Sequence, residues 1–131
     1  MKILIIDDEP HIVRALTLLL QRAGHDLHTA HNGADGLAKL DAERPDLAII
    51  DMMMPRLTGL ELLQAWQEHA GASRAEDVQF IMLTASCDAE IKEGLEYFAT
   101  VQLAAKPFSP RHILHMVEAI EARITAGQGA R

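Results

Sequence analysis

Leu47-Ala48-Ile49-Ile50-Asp51-Met52-Met53-Met54-Pro55-Arg56-Leu57-Thr58-Gly59 is the stretch on which the fold turns. A short apolar run, Leu47 to Ile50, ends in a single carboxylate, Asp51. The run is too short for a helix core and is bounded by Pro45 and Pro55. It reads as a strand buried on both faces, as in a parallel sheet. Asp51 then stands at the carboxyl end of that strand, the edge at which open α/β sheets carry their ligand crevice. A carboxylate there needs a partner, because burying an unpaired charge is costly.

Two further runs have the same form. Ile3-Leu4-Ile5-Ile6 ends in Asp7-Asp8, and Phe80-Ile81-Met82-Leu83 ends in Thr84-Ala85. A weaker strand ends near Lys106-Pro107. If these strands are parallel, Asp7, Asp8, Asp51, Thr84 and Lys106 meet at one edge. Three carboxylates, a hydroxyl and an ammonium suit a cation together with a phosphate.

The totals narrow the field. A chain of 131 residues allows one domain with a full core. Its net charge of −7 argues against a direct nucleic-acid surface, which normally shows a basic patch. No apolar run approaches the ~20 residues that span a bilayer, and Asp7-Asp8 interrupts the one candidate for a leader. The single cysteine, Cys87, excludes an internal disulfide and fits a reducing cytoplasm. With no basic neighbour to activate it, Cys87 reads as a space-filling residue.

Strands are expected at 2–6, 26–30, 46–50, 78–83 and 101–105. Helices are expected between and after them. The first opens at Glu9-Pro10, carries Ile12, Leu16, Leu19 and Ala23 with Val13 and Leu20 beside them, and ends at Gly24. The second runs from about Ala34 to Ala42, after an Asn32-Gly33 turn. The third is capped by Thr58 with Glu61 at the capping-box position, and carries Leu60, Leu63 and Trp66. A fourth spans about 88–98, weakened by Gly94. The fifth opens at Ser109-Pro110, with Ile113, Met116, Val117, Ile120 and Ile124 on its apolar face. Residues 69–77 read as a surface loop. Residues 1–125 make the domain, and 126–131 read as a flexible tail. Five strands alternating with five helices make a doubly wound α/β domain with a parallel sheet.

In this setting the chain resembles the receiver domain of bacterial two-component response regulators. The likeness spans about 2–125 and rests on four motifs in order: Asp7-Asp8-Glu9-Pro10, Asp51 to Pro55 with Gly59 and Glu61-Leu62, Ile81 to Ala85, and Lys106-Pro107-Phe108. Any one of them is common; the four at this spacing are specific. The resemblance implies a flavodoxin-like (βα)5 fold with strand order 2-1-3-4-5. Two positions depart from the family pattern. Leu103 stands where a Tyr or Phe usually lies three residues before the Lys, and Ala99-Thr100 replaces the usual Gly-Ala before the fifth strand. Both belong to the signalling face.

The resemblance also implies a chemistry. Asp51 accepts a phosphoryl group as an aspartyl phosphate. Mg²⁺, or Mn²⁺ in its place, relieves the repulsion among the carboxylates; Asp8, Asp51 and the Met53 carbonyl bind it directly and Asp7 acts through water. Lys106, Thr84 and the Ala85 N–H hold the phosphoryl oxygens. Thr84 and Leu103 are the switch positions, through which the face of the fourth helix, fifth strand and fifth helix changes its partners or self-associates as a homodimer. Implied partners are a sensor histidine kinase or phosphotransfer protein, and a downstream protein. No nucleic acid or membrane is contacted directly, the setting is cytoplasmic, and the protein is no enzyme beyond its own phosphorylation and dephosphorylation. Either it stands alone or it is the receiver portion of a longer regulator. Met53 and Ser86 flank the phosphate with no acid or amide to orient water, so its spontaneous loss should be slow.

Other readings compete. A degenerate receiver would act as a phosphorylation-independent interaction module. A phosphatase-like hydrolase would want a second Asp where Met53 stands. A flavin binder would want a phosphate-cradling loop in place of Asp7-Asp8-Glu9-Pro10. In the blandest reading, Asp7-Asp8 only caps the first helix. His25, His28 and His31 look like a ligand set, but on a strand His28 faces away from the other two. His112 and His115 share a solvated helix face. Met52, Met53 and Met54 read as packing, and Trp66 as a helix anchor.

Overall fold

A computed structural model describes residues 1–71, 77–85, 93 and 100–129. Its five strands are β1 (Lys2–Ile6), β2 (Asp26–Ala30), β3 (Leu47–Asp51), β4 (Gln79–Thr84) and β5 (Val101–Ala105). They form one parallel sheet in the order β2-β1-β3-β4-β5. Four helices are described: α1 (Pro10–Arg22), α2 (Gly33–Glu43), α3 (Gly59–Ala70) and α4 (Pro110–Gly129), the last being the fifth expected from sequence. The helix expected over 88–98, with Gly94 and Tyr97, lies outside the described residues apart from position 93. So do Ser86, Cys87, Ala99, residues 72–76 of the expected loop and residues 130–131 of the expected tail.

The sheet is the middle layer because its strands are apolar on both sides. Alternate residues point to opposite faces. Ile3, Ile5, Ile49, Ile81 and Leu83 meet Val13, Leu16 and Leu20 of α1 and Ile113, Val117 and Ile120 of α4. Leu4, Ile6, Ala48, Ile50, Phe80 and Met82 meet Leu40 of α2 and Leu62, Leu63 and Trp66 of α3. The register aligns Ile6 with Ile50, Asp51 with Leu83 and Thr84 with Ala105, so the strands end together at one edge.

Several boundaries differ from the sequence expectation. α1 buries Val13, Leu16 and Leu20, with Ile12 and Leu19 only flanking them and Ala23 exposed; the stripe sits one residue further round than its apolar spacing suggests. Gly24 follows the Ala23 cap at φ +94°, a backbone region open to glycine. Asn32 accepts the Asp35 N–H (2.8 Å) and caps α2, so Gly33 is its first helical residue rather than part of a turn. Thr58 and Glu61 form the expected capping box, but Leu62 takes the buried position and Leu60 lies at the edge of the core. α4 keeps a helical backbone to Gly129, beyond the position 125 at which a tail was expected. Met53 is 68% exposed and takes no part in packing, while Met52 and Met54 are buried.

A candidate phosphoacceptor site

Three strand ends build the site. Asp7 follows β1 and is fully buried; its N–H donates to the Ala30 carbonyl of β2 (3.1 Å), and its Oδ1 accepts the Glu9 N–H (2.9 Å). Asp51, 3% exposed, is the last residue of β3. Its Oδ1 accepts the Met53 N–H (3.2 Å), which ties the carboxylate to its own loop. Thr84 ends β4, is buried, and accepts the Lys106 N–H at its carbonyl (2.8 Å). Ala85 follows it at the surface.

Lys106 joins these ends. Its Nζ lies 3.2 Å from Asp51 Oδ1, 3.4 Å from Asp7 Oδ2 and 3.5 Å from Glu9 Oε1. The pairing of Lys106 with Asp51 is the one expected before phosphorylation. The Lys106-Pro107 peptide bond is cis. Beside the ammonium, Glu9, Ile12, Ala85, Pro107 and Phe108 line a largely apolar cavity of about 390 Å³.

The charges shape one another. Burial pushes the Asp51 carboxyl above the usual carboxylate range, against the Met53 N–H and Lys106, which favour its charged form. Burial also raises Asp7; the Glu9 N–H opposes it, and the Asp51 charge adds to it. For Lys106, burial disfavours the charge, but Asp7 and Asp51 together overcome that and hold the ammonium above its ordinary value.

Ligand atoms of Asp7, Asp8, Glu9 and Asp51 all lie within 4.8 Å of one another. They are hard oxygen donors without sulfur or imidazole, the donor set of Mg²⁺ rather than of a soft metal. Among the described residues this is the only such group. His11, exposed, reaches it at Glu9 (3.3 Å), while the histidines singled out from the sequence stay apart from it. His25 is buried with Nδ1 3.0 Å from the terminal amine, His28 pairs with Asp26 (3.2 Å), and His31, His112 and His115 are exposed. Trp66 is buried in the α3 core, as an anchor should be.

The N-cap of α1 is Glu9, with no side-chain cap bond of its own, while Asp7 Oδ1 accepts its N–H. One outcome differs from the sequence reading. Glu9 itself was not singled out, yet it completes the acidic group and touches Lys106. The signal was present as a third consecutive acid at a helix start; its bridge to Lys106, 97 residues away, was not.

Residues 3–118 match the family model of the response regulator receiver domain. The chain belongs to that family. As a receiver it is 40% identical to the alkaline phosphatase synthesis transcriptional regulatory protein PhoP of Bacillus subtilis, over 93% of this chain and 49% of that one. It is 31% identical to the DNA-binding response regulator MtrA of Mycolicibacterium smegmatis, over 90% and 49%. The receiver therefore spans about half the length of these curated relatives. Among solved structures, Vibrio cholerae chemotaxis protein CheY4 superposes with a TM-score of 0.82 at 30% identity, covering 91% of this chain and 97% of that one. The Francisella response regulator 1452 receiver domain gives 0.82 at 27%, covering 94% and 98%.

Proposed function

We propose that this receiver takes a phosphoryl group onto Asp51 from the phosphohistidine of a sensor kinase or phosphotransfer protein. The observation that carries the reading is the 3.2 Å contact of Lys106 with a buried Asp51 inside a four-carboxylate group. An Asp51 oxygen attacks phosphorus, the P–O bond forms as the P–N bond breaks, and the released imidazole takes up a proton. Lys106 moves from the carboxylate to an oxygen of the transferred group, where its charge stabilises the transition state. Thr84 and the Ala85 N–H hold the remaining oxygens. Asp8, Asp51 and the Met53 carbonyl would hold Mg²⁺ or Mn²⁺ directly, and Asp7 through water. The cation supplies charge neutralisation and orientation of the phosphoryl group when bound.

The output runs from Thr84 along β4 and β5. Leu103 pairs in register with Met82 and packs, partly buried, on the α3 side of the sheet. It has no ring to rotate and no hydroxyl to engage, so coupling to the β5 face is weaker or differently routed than in receivers with an aromatic there. That face serves protein partners or self-association, in a stand-alone receiver or within a longer transcriptional regulator. Phosphate loss is slow, because the exposed Met53 side chain offers no group to orient water. The setting is the cytoplasm; among the described residues no helix is long and apolar enough to cross a membrane.

Intact mass after incubation with Mg²⁺ and a small phosphodonor tests the reading. A single phosphoryl adduct that disappears in EDTA and in Asp51→Asn is expected. No adduct under any condition would replace it with the phosphorylation-independent interaction module.

A further inference from the structure

The transfer mechanism leaves Glu9 without a role, although it is one of three carboxylates on the catalytic ammonium. Asp7 and Asp51 are buried and belong to the acidic centre. The Glu9 side chain is 46% exposed and stands at the entrance of α1. Its two oxygens are divided: Oε1 lies 3.5 Å from Lys106 Nζ, and Oε2 lies 3.3 Å from His11 Nε2. The carboxylate is thus held from outside and turned toward the ammonium.

This arrangement bears on a competition within the site. The Asp51 oxygen that contacts Lys106 at 3.2 Å belongs to the nucleophile, and Asp7 and Asp51 are also carboxylates that a cation needs. An ammonium closed fully onto that pair would neutralise both and exclude the divalent ion. Glu9, at the rim, shares the ammonium with that pair. When Asp51 is phosphorylated and Lys106 turns to a phosphoryl oxygen, Glu9 remains beside the ammonium at the rim of the site.

We propose that Glu9 is a positioning residue for Lys106, sharing its ammonium with Asp51 so that the nucleophile and the acidic centre stay open to cation and phosphoryl group. The inference rests on the phosphoryl-transfer reading above. Its strength is that of a partly exposed ion pair, so effects of about two- to fivefold are expected.

A double-mutant cycle tests it, because a residue that acts through Lys106 has no effect once Lys106 is gone. Calorimetric titration with Mg²⁺, without phosphodonor, compares wild type, Glu9→Gln, Lys106→Ala and the double variant. Glu9→Gln should bind Mg²⁺ about two- to fivefold more weakly than wild type, with no further weakening in the Lys106→Ala background. Phosphorylation rates with an anionic donor should show the same pattern. If Glu9 acted instead by repelling the donor, Glu9→Gln would be faster than wild type, and the proposal fails. It fails equally if Glu9→Gln matches wild type, or if the loss persists without Lys106. A wild type that binds no Mg²⁺ and forms no adduct overturns the phosphoryl-transfer reading, and this inference with it.

Discussion

Asp7 shows what the site costs the fold. Its carboxyl is fully buried and its proton affinity is raised, so the native chain holds that proton to higher pH than the unfolded chain does. The stability it contributes is complete below the ordinary value of 3.8 and is lost as pH rises through the native value. At neutral pH the group is therefore a destabilising charge. Asp7→Asn keeps an oxygen for the Glu9 N–H and removes the charge. Thermal melts without cation should show it above wild type in Tm at pH 7.5, with the gap closing as pH falls toward 3.8; a constant gap would mean that packing, not ionisation, sets the difference. Gly59 is the other residue on which the site depends. A Cβ there would lie 2.5 Å from Met82 Sδ and 3.0 Å from the Asp51 carbonyl. Gly59→Ala should cost about 1–3 kcal/mol in denaturant unfolding, because the start of α3 must move off the strand end that carries Asp51.

The loop and helix after β3 are fixed beside Asp51 by two kinds of bond. Gly59 N–H donates to the Met52 carbonyl (2.9 Å), anchoring α3 at the end of β3. Thr58 Oγ1 accepts the Glu61 N–H (3.2 Å) while Glu61 accepts the Thr58 N–H (3.0 Å). The Thr58 N–H bond holds the Glu61 carboxyl below its usual range, consistent with a charged cap at a helix N-terminus. Thr58→Ala should lower stability by about 1 kcal/mol in urea titration. A loss near zero would show that packing of Leu62, Leu63 and Trp66 alone sets the helix start. Under the proposed switch, β5 would bear on output instead. Leu103→Tyr restores an aromatic hydroxyl at the edge of the core, and should increase the phosphorylation-dependent change in partner affinity by on the order of 1 kcal/mol. If both that change and the accompanying NMR shifts are unaltered, coupling does not pass through position 103.

For the molecule as a whole, the two apolar layers stabilise an edge at which like charges are forced together. A ligand that relieves them adds its binding energy to folding. Mg²⁺ at a hundredfold excess over its Kd should raise stability by about 2.7 kcal/mol at neutral pH. The gain should shrink as pH falls through the raised values of Asp7 and Asp51, since protonated carboxyls bind no cation. Thermal melts across a pH series with and without Mg²⁺ measure this. A gain independent of pH would point to a cation bound elsewhere.

The order of elements, the parallel sheet and the residues of its edge were legible in the chain. Doubly buried strands write themselves as unbroken apolar runs, and a charge closing such a run has few other places to be. Helix starts were nearly as clear where a side chain must satisfy free N–H groups, as at Thr58 and Ser109. Helix faces were less so. Leu62 is buried where Leu60 was expected, and Ile12 and Leu19 only flank the core, because the crossing of each helix over the sheet, not its own periodicity, selects the buried side. The outward turn of Met53 and the bridge of Glu9 to Lys106 arise in the same way. Each depends on where two segments far apart in the chain come to lie, and that is settled only when both layers pack on the sheet and align the ends of its strands.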